Sequence, residues 1–365
     1  MRMHNDKMSL SAVVSGLAPQ QCVTGGPAPC RCFANPRTAR NKWSLTLILI
    51  LFSLPSWGGE ILTIDNGKVV AGHADGDKRQ ALVSSQLLSK YKVRELFDWK
   101  DLPNKNSRRL LLTVGESPQR RDLHTPVGGE LWQVDSDGME RFVSADVYQA
   151  HLSPDGAKLV YATSLRSVGV QTGDGRLLLE VVRAYDPSWK PDGSSIVLSR
   201  AGEGADLNMP GKLRIDTIDI ETGGVRNLTD GMFDDVRPEF HPSGRWVIFV
   251  SGGRTGLASF WRVATDSGDA TQLTNIGATS VDDRFVPTPF KQTLWSSNGR
   301  WFLYDFKLGE KEEVWGLEFG TDGDFIRALK IAAGLNPQWA DNGVSVAVQK
   351  MVDGEPKSII VELPQ

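Results

Sequence analysis

Along most of this chain, short apolar runs alternate with polar stretches rich in Gly, Pro, Ser, Asp and Asn. The stretch 238–274 shows the pattern plainly. Phe240 precedes a turn, His241-Pro242-Ser243-Gly244, and the run WVIFV (246–250) follows. A Gly-rich turn at 251–256 leads to a second run at 258–263. The turn Asp266-Ser267-Gly268-Asp269 then leads to Thr271-Gln272-Leu273-Thr274. Runs this short, enriched in β-branched and aromatic residues, predict strands rather than helices. Four strands joined by three tight turns make one antiparallel meander.

The unit recurs. Aligned on the turn glycine, five copies stand out: LSPDG at 152–156, WKPDG at 189–193, FHPSG at 240–244, WSSNG at 295–299 and WADNG at 339–343. The glycines fall 37, 51, 55 and 44 residues apart, and the runs LVYAT, IVLSR, WVIFV, WFLYD and VSVAV follow them. A period of about 40–50 residues with several strands per repeat predicts a β-propeller. A four-stranded sheet cannot bury both faces alone, so each must stack on its neighbours. A degenerate first blade, anchored at Trp99 and continued by RRLLLTV, ELWQV and MERFV between 108 and 144, brings the number to six over residues 95–365. The expected class is therefore all-β: a six-bladed propeller of four-stranded antiparallel blades with a short N-terminal α/β extension.

Ahead of the blades the pattern changes three times. Residues 1–36 lack periodicity, hold all three cysteines (Cys22, Cys30, Cys32), and are read as a disordered extension that a downstream start codon would omit. Residues 37–58 read as a secretory signal peptide. Arg37, Arg40 and Lys42 precede the apolar core 43–54, and small residues Ser56 and Gly58 place cleavage before Gly59. Residues 59–94 are expected to supply a hairpin over 61–70 around Asn66-Gly67, one amphipathic helix over 78–91, and a strand at 61–64 that closes the ring against the last blade. Removing 1–58 leaves 35 basic and 43 acidic residues, net −8, and no cysteine. A mildly acidic exported chain is a poor ligand for nucleic acid. A monomer, periplasmic or secreted and without stable membrane insertion after cleavage, is expected.

The repeat itself resembles that of the TolB-type six-bladed propellers. The shared elements are Pro-x-aromatic-Ser-Pro-Asp-Gly, an apolar strand, a Ser/Arg/Gly turn, an aromatic strand, Asp-x-x-Gly and then Gln/Asn-Leu-Thr; 187–229 and 238–274 carry most of it. The resemblance covers roughly residues 95–365. It implies a propeller in the cell envelope that binds a protein or peptide partner, and it places the connection into each new blade near the central channel. The α/β domain that precedes the propeller in TolB does not fit in full between the signal and the blades.

Sequence motifs for catalysis are missing. There is no Gly-x-Ser-x-Gly elbow, His-Glu-x-x-His or Walker loop. His73, His124, His151 and His241 show no ligand spacing, and Asp135-Ser136-Asp137-Gly138 and Thr321-Asp322-Gly323-Asp324 are read as hairpin turns rather than calcium loops. One polar set does repeat at the entry to successive blades: Asp186, then Asp234, Asp235 and Arg237, then Asp282, Asp283 and Arg284. These seven are the candidate binding residues. Their competing role is to cap turns or pair locally. No cofactor is expected, save a channel-bound cation. The alternative to a binding propeller is a glycan lyase or hydrolase whose site is assembled from several blades.

Overall fold

The computed structural model describes residues 60–65, 68–73, 80–81, 86–102, 108–114, 128–202, 212–256, 258–274, 295–308, 311–321, 323–339, 344–352 and 355–364, all within one compact unit, 55–365. An N-terminal segment comes first: β1 (Glu60–Asp65), β2 (Lys68–His73), β3 (Gln80–Ala81) and α1 (Gln86–Lys90). Unit 1 follows with β4 (Val93–Asp101), β5 (Arg108–Val114), β6 (Gly129–Asp135) and the start of β7 (Glu140–Leu152). Unit 2 takes the rest of β7, then β8 (Lys158–Thr163), β9 (Ser167–Thr172) and β10 (Leu177–Val182). Unit 3 is β11 (Ala184–Trp189), β12 (Ser195–Ala201), β13 (Leu213–Asp219) and β14 (Val225–Asn227). Unit 4 is β15 (Asp235–Phe240), β16 (Trp246–Ser251), β17 (Ser259–Ala264) and β18 (Ala270–Gln272). Unit 5 is β19 (Trp301–Leu308), β20 (Lys311–Phe319) and β21 (Phe325–Ala333), joined by a bridge from Trp295 to Phe302. Unit 6 is β22 (Leu335–Trp339), β23 (Ser345–Val352) and β24 (Glu355–Glu362).

Each unit pairs its strands in chain order, all antiparallel, giving the propeller-like meander that the repeat predicts. Units 1 and 2 share one seven-stranded sheet because β7 runs through both: Glu140, Arg141, Phe142, Ser144 and Val147 pair with β6, and Val147 to Leu152 pair with β8.

Alternation along the second strand of each unit explains the packing. Ile196 and Leu198 belong to a cluster shared with unit 2, while Val197 faces a cluster shared with unit 4. Val247 and Phe249 face unit 3, and Ile248 and Val250 face unit 5. Phe302 and Tyr304 face unit 4, and Trp301 and Leu303 face unit 6. A strand buried on both faces must be apolar at every position, and this is why these runs show no polar alternation. The anchor aromatics all turn toward the preceding element: Trp189 to unit 2, Phe240 to unit 3, Trp295 to unit 4, and Trp339, half-buried, to unit 5. Trp99 behaves alike, but the element before unit 1 is the N-terminal segment, whose Val69 and Leu87 cover Leu110, Leu112 and Val134.

The turn motif has one geometry in its four described copies. The glycines Gly156, Gly193, Gly244 and Gly299 have φ between +69° and +71°, a conformation that only glycine adopts freely. The preceding side chain (Asp155, Asp192, Ser243 or Asn298) accepts the N–H of the residue after the glycine, so Asp, Ser and Asn are interchangeable there.

Two expectations for the N-terminal segment need correction. The described helix spans Gln86–Lys90, and Gln80 and Ala81, expected within it, pair instead with Ala71 and Val70 of β2; Leu82 and Val83 lie outside the described residues. The strand expected to close the ring, 61–64, pairs instead with Val69 to Gly72 across the short hairpin, and among the described residues it does not join the sheet of β22–β24. Two residues between strands favour the local hairpin over a long-range pairing. Residues 1–59, and with them the expected signal peptide, lie outside the described residues, as do His124 and the turn 340–343.

Candidate functional site

The first strand carries a register break in units 1, 2, 3, 4 and 6, seen at Leu96/Asp98, Val147/Gln149, Tyr185/Ser188, Val236/Glu239 and Leu335/Gln338. A bulge of this kind turns a side chain away from the ladder. In units 3 and 4 it places Asp186 (φ +50°) and Arg237 (φ +55°) in the left-handed region, which costs a non-glycine residue about 1–2 kcal/mol. Neighbouring units offset that strain with bonds across the bulge. Arg237 N–H donates to Asp186 Oδ2 and to Ser199 Oγ, both at 3.2 Å. One unit earlier, Gln149 Nε2 donates to Pro187 O at 3.2 Å. Gln149, Asp186 and Arg237 each lie seven residues before their turn glycine, as does Asn336. This recurrent polar position links unit to unit.

Asp186 therefore has a structural job, and burial still pushes its carboxyl up while Arg237 and Ser199 pull it down. Tyr148, at the bulge of unit 2, has its phenol raised well above the usual value by burial and then by the Asp186 charge. Asp235, fully buried, is held by Arg254 through two bonds, Nε to Oδ1 at 3.1 Å and Nη2 to Oδ2 at 2.7 Å. Arg254 in turn lies over the rings of Phe233, Phe249 and Trp261. Asp234, half-buried, is different. Its carboxyl is raised by burial and then by the charges of Asp235 and Asp186, against only the Leu213 N–H; its Oδ1 is buried without a hydrogen-bond partner.

Of the seven predicted residues, Asp186, Asp234, Asp235 and Arg237 thus come together at the junction of units 3 and 4. Asp282, Asp283 and Arg284 lie outside the described residues. Tyr148, Gln149, Ser199 and Arg254 join the group and were not singled out from the sequence. The fixed distance of Gln149 from Gly156 is the signal that could have found it.

The remaining polar motifs hold the structure together. His241 stacks on Trp246 (ring centroids 4.2 Å) and meets Trp295 edge-on. Ser243 N–H donates to its Nδ1 at 3.0 Å, so the proton sits on Nε2 and is donated to Gly299 O of unit 5 at 3.1 Å. Burial lowers the affinity of both His241 and His151 for a second proton. Asp135 accepts two bonds from buried Arg109, and Gly138 N–H closes a turn on Asp135 O. Among the described residues no group of three or more His, Cys, Asp or Glu is arranged to hold a metal ion. No described helix is long and apolar enough to cross a membrane.

No family model matches this chain. It is 31% identical over 136 residues to the uncharacterized protein Atu1656 of Agrobacterium fabrum, covering 34% of this chain and 42% of that protein. It is 28% identical over 136 residues to the uncharacterized peptidase YuxL of Bacillus subtilis, covering 37% of this chain and 19% of that protein. The matched stretch is thus under half of either relative. Among solved structures, the chain resembles the tricorn protease (TM-score 0.53, 11% identity, 83% of this chain and 32% of that one) and hydrazine synthase of Kuenenia stuttgartiensis (0.53, 13%, 83% and 92%). It is also similar to TolB of Acinetobacter baumannii (0.46, 17%, 72% and 75%). At such identities the likeness concerns the fold alone, and with the sheet order above it describes a propeller-like chain.

Proposed function

We propose that this chain is an exported, six-bladed propeller that binds a protein or peptide partner of the cell envelope and catalyses no reaction. The observation that carries the reading is the junction of units 3 and 4. Two carboxylates from successive units, Asp186 and Asp234, lie near enough for the charge of one to raise the carboxyl of the other. With Tyr148 and Arg237 beside them, they form a half-buried polar cluster, which we read as the mouth of the channel. The site offers hydrogen-bond acceptors and charge, the chemistry of recognition. The TolB-type repeat in the sequence favours an envelope partner over a small metabolite. Closure of six blades around a channel, with Asp282, Asp283 and Arg284 completing the ring, belongs to the same proposal. Export follows from the basic residues and apolar core at 37–58.

Capture of partners from the native envelope tests it. The wild-type chain, purified from its periplasm with cross-linked partners, should retain one or more envelope proteins. Asp186→Asn/Asp234→Asn, shown to be folded by circular dichroism, should lose them. Equal capture by both proteins would remove the mouth as the binding surface.

A further inference from the structure

The mouth contains one carboxylate whose charge nothing described answers. Asp235 is taken by Arg254, and Arg237 lies beside Asp186. Asp234 meets the Leu213 N–H and two further negative charges, and its Oδ1 is buried without a partner. A second acceptor in the same state lies one unit back. Gln149 is 3% exposed, its Nε2 donates to Pro187 O, the carbonyl next to Asp186, and its Oε1 has no partner. Buried acceptors without donors are uncommon and ask for an explanation. Two of them flank Asp186, which itself accepts bonds, so the group is short of donors and short of one positive charge.

We propose that this deficit is filled by the cationic side chain of the partner, a lysine ammonium or an arginine guanidinium, seated on Asp234 within reach of Gln149. Such a group supplies several N–H donors and one charge at once. A calcium ion is the less suitable occupant, since it needs six to eight oxygens. Among the described residues no three acidic or histidine ligands converge. The proposal rests on the binding reading above and specifies its chemistry.

The test uses the full mature chain and four probes: end-capped tripeptides Ala-Lys-Ala and Ala-Arg-Ala, the lysine peptide with acetyl-lysine in its place, and calcium chloride alone, each titrated by calorimetry and chemical-shift mapping. The expected result is binding of the Lys or Arg peptide at the mouth, at least tenfold weaker in Asp234→Asn, with no binding of the acetylated peptide. Gln149→Leu, which keeps the charge, should weaken it by a smaller factor. Equal affinity for the acetylated peptide, undiminished binding by Asp234→Asn, saturation of Asp234 by calcium in place of the peptides, or no binding of any probe would each overturn the cationic assignment. Envelope partners still captured by wild type and lost from the Asp186→Asn/Asp234→Asn protein would then leave the binding reading standing on other chemistry.

Discussion

Trp189→Ala should be among the most damaging single changes in the chain. Trp189 is 8% exposed and packs between units 2 and 3, in a cluster with Val160, Val168, Val170, Ile196 and Leu198. Its indole N–H donates to His151 O of unit 2 at 3.2 Å. Truncation removes the ring from both units, and neither sheet can collapse into the space without breaking its own ladder. The cavity range for a large aromatic, about 3–5 kcal/mol, therefore applies. Loss of the indole hydrogen bond adds about 1 kcal/mol. Trp189→Phe keeps most of the apolar contact and should cost about 1–2 kcal/mol. Urea titration followed by circular dichroism reads both values. A loss under about 1 kcal/mol for Trp189→Ala would show that the tryptophan does not join the two units, and the assignment of every anchor aromatic to the preceding unit would fall with it.

Stability should fall as pH drops below about 6.5, because burial holds His241 and His151 below their unfolded value and the unfolded chain then binds protons that the native one does not; His241→Gln should flatten the pH dependence of the melting temperature. Gly299→Ala should cost about 1–3 kcal/mol in a denaturant titration, since its Cβ would lie 2.6 Å from His241 Nε2 at a φ of +71°. Asp234→Asn should hold or raise the melting temperature at pH 7. Its carboxyl is raised by burial and by Asp235 and Asp186, so ionisation weakens the fold as pH rises above about 4, and the gain should vanish in acid. Intact-mass analysis of protein from its native host should give Gly59 as the first residue; a mature chain retaining residues 1–36 would refute export through 37–58.

The fold was legible because its strongest signals are local. The turn motif specifies a glycine at positive φ and an acceptor before it, and both can be read off single positions. The runs WVIFV and WFLYD are apolar at nearly every residue because both faces are covered, which distinguishes them from surface strands. The N-terminal segment was read less well. Gln80 and Ala81 have no strong strand preference and pair only because β2 lies alongside, a tertiary effect that helix periodicity cannot anticipate. The site was half legible. Aspartates near the entry to successive units drew attention by their charge, although Asp186 occupies the position of Arg237 rather than of Asp234, whereas Gln149 and Tyr148 occupy the bulge of unit 2 without charge. Arg254 reaches Asp235 from a different turn of the same unit, nineteen residues on.

The four predicted residues that the structure brings together do not share one role. Asp186 accepts the Arg237 N–H across a strained bulge, so its position follows from the need to join two sheets. Asp235 is neutralised by Arg254 within its own unit, which orders the Gly-rich turn that carries the arginine. Both would be required whether or not anything bound. A buried ion pair of this kind gives little net stability against an apolar substitute, but loss of one member is costly. Asp234 gains only the Leu213 N–H from the fold that surrounds it. It is half-buried beside like charges, with one oxygen unpaired. A group that raises the free energy of the unbound chain is retained only where something else lowers it. The case for a ligand at this end of the molecule therefore rests on Asp234, and the repeated aspartates around it are better understood as the frame that holds it in place.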